Sequence, residues 1–340
     1  MSGRKRGPWA ALLRAALAAA EVPYSWAVRR RNHRFDTHPA SIHRAGAPVV
    51  SVGNLTLGGT GKTPAVEWLV RWFGERKARV GIVSRGYGVR RGQQNDEALE
   101  LAASLPGVPH VQDPDRVAAA RRAVADFDCQ VLVLDDAFQH RRLARDLDIV
   151  LLDALEPFGF ERVFPRGTLR EPLEGLRRAQ VVALSRADIL DHSQREEIRR
   201  RVEQLAPRAA WLEVAHAVKE LVSAGGDRQP ITALEDQPLA AFCALGNPAG
   251  FRHTLMSCGY RVAGFREFPD HHWFAGCELD RLAAWAGDLG AKALLCTQKD
   301  LAKIGADRLG DLPLWAVAVR LEILRGQELL EDRLEPLLPA

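Results

Sequence analysis

Residues 49–63, Val-Val-Ser-Val-Gly-Asn-Leu-Thr-Leu-Gly-Gly-Thr-Gly-Lys-Thr, constrain this chain more than any other stretch of it. A short β-branched run passes into a glycine-rich loop and then, over 64–76, into helical periodicity. That is strand, loop and helix in the order a phosphate-cradling P-loop requires. Such a loop works because successive backbone N–H groups and a helix N-terminus converge on an anion; the residues that would do so here are Gly58, Gly59, Thr60 and Gly61. Lys62 then falls where it can reach β- and γ-phosphate oxygens, and Thr63 where its hydroxyl can ligate Mg²⁺. The loop departs from the usual spacing, because Thr56 stands where a glycine is customary.

Around this loop the chain alternates apolar strand candidates with helical stretches. The strand candidates are 48–52, 80–84, 131–135, 149–153 and 181–185, and 115–126 is a second helical stretch. Strands separated by helices imply a doubly wound α/β fold with a mostly parallel sheet, here of the P-loop NTPase kind. From about Ala215 the texture changes through a Gly/Asp/Gln/Pro-rich stretch at 225–230, and a second set of strand candidates follows at 240–245, 293–297 and 314–319. The expected organisation is an N-terminal segment 1–35, a P-loop domain 36–215, a linker near 215–235 and a smaller C-terminal α/β domain 216–340. A ligand cleft between two such domains is the usual arrangement.

Charge separates the N-terminal segment from the rest. Residues 1–35 carry eight Arg/Lys against one acid, Glu21, a net of +7; the chain as a whole is +4, so the remaining 305 residues sum to −3. The basic excess is therefore not the spread-out footprint of a nucleic-acid-binding protein, and no nucleic-acid partner is expected. The run from Pro8 to Ala20 is rich in helix formers, with Pro8 suited to a first turn, and Glu21 and Pro23 close it. It is too short to span a bilayer and Arg14 interrupts it. A helix lying in the membrane interface is expected instead, with Trp9, Leu12, Leu13, Leu17, Tyr24 and Trp26 as apolar anchors and arginines reaching anionic head groups; a helix packed on its own domain and a secretory signal, against which Arg14 argues, are the competing readings. Five scattered cysteines with no C-x-x-C suggest neither disulfides nor a zinc site and fit a reducing compartment.

Other motifs cluster at predicted strand ends. Residues 130–136, Gln-Val-Leu-Val-Leu-Asp-Asp, form an apolar strand ending in two carboxylates, the way a Walker B acid holds Mg²⁺; either Asp135 or Asp136 could be the direct ligand, since neighbours on a strand point to opposite faces. In residues 84–88, Ser-Arg-Gly-Tyr-Gly, Arg85 and Tyr87 follow a strand at the same edge. In 270–274, Asp-His-His-Trp-Phe, a histidine reads better as a base or orienting group than as half of a metal site with Cys277. His33, His38 and His43 share no face and read as loop residues.

Taken in order, these blocks resemble the tetraacyldisaccharide 4'-kinases. The resemblance runs from about Val49 to Ile304. It includes the loop, Ser84–Gly88, Asn95-Asp-Glu97, Asp135-Asp-Ala-Phe-Gln-His140, Arg145–Asp148, Leu169-Arg-Glu-Pro172, Phe268–His272 and Thr297-Gln-Lys-Asp300. It implies an ATP- and Mg²⁺-dependent lipid kinase that phosphorylates the 4'-hydroxyl of an acylated disaccharide 1-phosphate, the lipid A precursor, at the cytoplasmic face of the bacterial inner membrane. By motif, Asp96 would be the base, partnered by His271 or by His272. Lys62 and Thr63 would serve phosphate and metal, Asp135 and Asp136 the metal region, and Tyr87, Arg170 and Glu171 the rest of the site. The family usually shows glycine at Ala137, glutamate at Gln298 and alanine at Gly246, positions that remove no proposed catalytic group. The rival reading is a membrane-associated P-loop ATPase switch, but those carry a lysine directly before the Gly-Gly pair, where this chain has Leu57.

Overall fold

All six residues of the strand Val49–Asn54 are buried, and the first half of the chain is arranged around it. The structure is a computed structural model, and it describes residues 7–86, 96–270 and 272–339. In chain order the strands are β1 (Val49–Asn54), β2 (Val80–Ser84), β3 (His110–Gln112), β4 (Val131–Asp135), β5 (Leu147–Asp153), β6 (Val181–Ser185), β7 (Ala210–Val222), β8 (Arg228–Gln229), β9 (Leu239–Cys243), β10 (Val262–Glu267), β11 (Ala293–Thr297), β12 (Arg308–Leu309) and β13 (Leu312–Arg325). The helices are α1 (Pro8–Thr37), α2 (Lys62–Glu75), α3 (Asp96–Ser104), α4 (Arg116–Phe127), α5 (His192–Leu205), α6 (Pro248–Ser257), α7 (Gly276–Asp288), α8 (Gln298–Ile304) and α9 (Gln327–Leu334). The fold is α/β with a mostly parallel sheet, as the alternation in the sequence leads one to expect.

Two compact units divide the chain, and they interleave in sequence. The first takes residues up to Arg85, then Val108–Ala215, then Ile323 onward; the second takes Gly86–Gly107 and His216–Glu322. Composition gave no sign that 86–107 group with the second unit and 323–339 with the first. The change of unit near 215 falls inside β7 rather than in a flexible linker, because Ala210–Ala215 are all buried strand residues and pairing continues beyond them.

In the first unit the strand order is β7-β6-β5-β1-β4-β2-β3, every neighbouring pair parallel. Because β1 lies between β4 and β5, the loop that leaves it sits where the winding reverses, the point at which open α/β sheets bind ligands. Helix α4 covers one face of the sheet: its Val117, Ala119, Ala120 and Ala123 pack with Val83, Leu132 and Leu134. A second cluster joins Val150, Leu152, Val182 and Leu184 with Val202 of α5 and with Leu169 and Leu176. In the second unit the order is β10-β9-β11-β13, again all parallel.

Helix α1 runs to Thr37, straight past Pro23, where the sequence suggested an end. A proline inside a helix costs about 3 kcal/mol, so something else must hold this one together. That is docking of its inner face. Glu21 accepts from the Val163 amide at 3.0 Å, the Tyr24 hydroxyl donates to the Arg170 carbonyl at 3.3 Å and Asn32 reaches Glu171. Tyr24 also packs edge-on against Phe164, and Val28 is buried. Tyr24 therefore faces the protein, whereas Trp9, Leu12, Leu13, Val22 and Trp26 are exposed. His33 lies within the helix. Among the described residues no helix is long and apolar enough to cross a membrane.

Candidate active site

The loop after β1 is built by backbone geometry that only its glycines accept cheaply. Gly58 has φ 116° and Gly61, which precedes the first helical residue Lys62, has φ 81°; both lie in the region that L side chains rarely adopt. The first turn of α2 contains no acidic residue, so the positive end of its dipole is left for an external anion. Thr60 is buried and its hydroxyl has no hydrogen-bond partner among the described residues. The outer limb is tied down by Leu57, whose amide donates to the Thr168 carbonyl at 2.7 Å.

The two carboxylates at the end of β4 are not equivalent. Asp135 ends the strand and is almost wholly buried, whereas Asp136 has left it with φ 48°. That turn brings Asp136 to Arg170, whose Nη1 donates to both of its oxygens at 2.8 and 2.9 Å, and within 3.7 Å of the Lys62 ammonium. Arg116 braces the same turn from below, donating to the carbonyls of Asp135 (3.3 Å) and Asp136 (2.9 Å). Burial alone would raise the Asp136 carboxyl, but Lys62, Arg170 and Arg116 outweigh it and hold the group below the ordinary carboxylate range.

Behind this edge Glu171 is fully buried and fully satisfied. It accepts from Arg178 at 2.8 and 2.9 Å, from Asn32 at 2.8 Å and from Gln139 at 3.1 Å. Gln139 passes the connection on to the Asn54 carbonyl at 2.8 Å, and the Asn54 side chain donates to the Gly58 carbonyl at 3.3 Å. Glu171 thus acts on the loop through two intervening side chains. His140, next in sequence to Gln139, is pushed down to about 4 by burial and by the nearby Arg116, Arg145 and Arg142, so it is neutral at pH 7.

Of the residues singled out from the sequence, the structure brings Gly58–Thr63, Asp135, Asp136, Arg170 and Glu171 together in the first unit. Asp96 is the first residue of α3, in the second unit, where α3 packs on α8. Tyr87 and His271 lie outside the described residues. Their neighbour His272 has its ring stacked on Phe268 and its Nε2 3.2 Å from Glu278 Oε2. Lys303, buried beside Asp300, donates to the His272 carbonyl at 3.2 Å. Sequence reasoning missed Asn32, Arg116, Gln139, Arg178 and Arg186. Gln139 stood in a quoted block and could have been weighed; Asn32 and Arg178 carry no local pattern, because what matters is which distant carboxylate they meet.

Comparison with known proteins can now be set beside this geometry. The family profile of the tetraacyldisaccharide-1-P 4'-kinases matches residues 13–338. The chain belongs to that family. A tetraacyldisaccharide 4'-kinase of Anaeromyxobacter sp. (strain K) is 41% identical over 98% of this chain and 93% of its own length, and one from Geobacter metallireducens is 37% identical over 88% and 91%. The crystal structure of LpxK from Aquifex aeolicus in complex with ATP superposes with a TM-score of 0.75 at 28% identity, covering 96% of this chain and all of that one. Membership makes this kinase a phosphotransferase acting on the 4'-position of a lipid A precursor, and it leaves the ATPase-switch reading without support.

Proposed function

We propose that the edge formed by Gly58–Thr63, Asp136 and Arg170 binds ATP as its Mg²⁺ complex, and that the γ-phosphate passes from it to the 4'-hydroxyl of tetraacyldisaccharide 1-phosphate. The observation that carries this reading is Asp136: one carboxylate gathers Lys62 and Arg170 beside the open N-terminus of α2. Phosphoryl transfer has a loose transition state with charge spread over the equatorial oxygens, so prepositioned cations supply most of the catalysis. Lys62 leaves Asp136 for the β- and γ-oxygens when nucleotide arrives, and Arg170 stays close enough to meet developing charge.

The donor set fits a hard divalent cation. The Thr63 hydroxyl and the Asp135 carboxylate are hard oxygens, and Asp136 is already engaged by two cations, which favours Asp135 as the direct ligand. A divalent cation held by Thr63 and Asp135 would supply positive charge to offset that of the phosphates.

Asp96 takes the proton of the 4'-hydroxyl as its oxygen attacks phosphorus and the bond to the β-bridging oxygen breaks, leaving ADP. His271 is preferred over His272 as its partner because His272 is committed to Glu278 and Phe268. Tyr87 is assigned to the same site by its motif. The exposed apolar residues of α1, with the arginines of residues 1–35, suit a monotopic seat on an anionic bilayer, which in this pathway is the cytoplasmic face of the inner membrane.

The test is transfer of labelled γ-phosphate to detergent-dispersed tetraacyldisaccharide 1-phosphate. The intact chain yields a phosphorylated lipid and Lys62→Ala does not; equal product from both would overturn the loop assignment. Asp96→Asn and His271→Ala are expected to lower kcat far more than they raise KM for ATP.

A further inference from the structure

Arg186 occupies an unexpected place for an arginine. It directly follows β6, is 7% exposed, and holds φ 58° and ψ 37°, a left-handed conformation that costs a residue with a Cβ about 1 kcal/mol or more and is retained where the surroundings require it. Its guanidinium is shared between two partners. Nε donates to Asp153 Oδ1 at 3.2 Å and Nη2 pairs with Asp153 Oδ2, at the end of β5; Nη2 also donates to the carbonyl of Gly59 at 3.1 Å.

Gly59 is the middle of the phosphate-cradling loop, and packing does not hold it there: a Cβ built on Gly58 or on Gly59 would meet nothing within 4 Å. The loop's shape therefore depends on bonds to its carbonyls. Asn54 takes the Gly58 carbonyl and Arg186 takes the next one. A trans peptide points its N–H opposite to its C=O. Fixing the Gly58 carbonyl on Asn54 therefore directs the Gly59 N–H the other way, and fixing the Gly59 carbonyl on Arg186 does the same for the Thr60 N–H. With either carbonyl released, the peptide can rotate and present an oxygen to the phosphates, a repulsive contact in place of a donor.

We propose that Arg186, oriented by Asp153, is a positioning residue for nucleotide: it latches the Gly59 carbonyl so that the Thr60 amide faces the phosphate. This rests on the reading that Gly58–Thr63 holds the phosphates of ATP. Arg186 touches neither nucleotide nor acceptor, and its effect is confined to the nucleotide side of the reaction.

Arg186→Met alone takes the guanidinium from the half-buried Asp153 carboxylate and can impair folding. The decisive variant is Arg186→Met with Asp153→Asn, which removes both charges and keeps a side-chain oxygen for the Leu155 amide, which donates to Asp153 Oδ1 at 3.1 Å. Losing a charge-assisted bond to the loop is expected to raise Kd for a non-hydrolysable ATP analogue, and KM for ATP, at least about tenfold. KM for the lipid and the thermal midpoint of the nucleotide-free protein stay near wild type, and Arg186→Lys recovers part of the loss. A double variant that binds the analogue within twofold of wild type, while Lys62→Ala loses it, overturns the latch and leaves the loop assignment standing. Wild-type analogue binding by Lys62→Ala would overturn the loop assignment and the latch together. A parallel fall in midpoint and in both KM values would mark the pair as a fold element only, against the proposal.

Discussion

The side-chain amide of Asn32, near the end of a 30-residue helix, donates at 2.8 Å to the buried carboxylate of Glu171, 139 positions away. The first helix is thereby wired into the edge proposed to bind nucleotide, because Glu171 holds Gln139, and Gln139 holds the Asn54 carbonyl at the head of the loop.

Replacing Asn32 with leucine removes one of four bonds to a buried carboxylate. The expected cost is about 1–3 kcal/mol of stability, the usual price of taking a donor from a buried charged acceptor. Activity should fall more than membrane association does. Urea midpoints and co-sedimentation with vesicles test the two parts separately, and unchanged stability would show that Asn32 and Glu171 are merely adjacent.

The outer face of the same helix is predicted to behave in the opposite way. Trp9, Leu12 and Leu13 are 82%, 62% and 61% exposed and support no core. Changing all three to serine should leave the thermal midpoint within a degree or two, yet release the protein from vesicles containing anionic lipid, since the apolar area for interfacial insertion is gone. Full retention on vesicles at moderate salt would remove the membrane role from this face. Deleting residues 8–30 is a poorer test, because it strips Tyr24 and Val28 from the protein interior as well.

Most of the first unit was legible in the sequence because its signals are local. Buried parallel strands are short β-branched runs, and the five strand candidates of that half each fall on a strand of the structure within a residue or two. The loop announces itself through glycines whose φ values nothing else accepts cheaply. What stayed hidden depends on contacts between residues far apart in sequence. Pro23 looked like a helix end because its intrinsic penalty is visible, while the docking of Glu21, Tyr24 and Asn32 that offsets it is not. Arg186 carries no local pattern in the sequence, and only the approach of Gly59 and Asp153 reveals its use. The interleaving of the two units is hidden for the same reason, since no composition shift marks 86–107 or 323–339.

Acid sensitivity follows from two histidines held neutral. His110, hydrogen-bonded through Nε2 to the Ser84 hydroxyl at 2.8 Å, is pushed down to about 4 by burial, and His140 to about 4 by burial and nearby arginines. In the unfolded chain each titrates near 6.5, so between 6.5 and about 4 the unfolded state binds the extra protons. Their contribution is therefore fully present above pH 6.5 and is lost as pH falls towards 4, at up to about 1.4 kcal/mol per pH unit for His110 and less for His140, which solvent screens more. Denaturant unfolding at pH 7, 6 and 5 should show this slope, and His110→Gln should reduce it by one proton. A flat profile in that window would mean that both histidines take up protons in the folded protein as they do in the unfolded chain, and a profile rising toward acid would mean that they are already charged when folded.

The last prediction concerns a glycine that flexibility does not explain. Gly53 lies in β1 with ordinary strand geometry, but the chain leaving β4 crosses directly over it: a Cβ there would come within 2.6 Å of the Phe138 Cβ and 2.8 Å of the Phe138 nitrogen. The crossing is what carries Asp136 to Lys62, since the Ala137 amide is bonded to the Val52 carbonyl at 3.2 Å. Gly53→Ala must push the two strands' ends apart, at a cost of about 1–3 kcal/mol or more. Because the contacts are to Cβ and backbone nitrogen, trimming Phe138 to alanine should not relieve them; the double variant should be less stable than either single one. The same displacement should move Asp136 away from Lys62, so KM for ATP should rise in Gly53→Ala even at temperatures where the variant is fully folded. Relief of both defects by Phe138→Ala would mean that the aromatic ring, and not the path of the backbone, excludes a side chain at position 53.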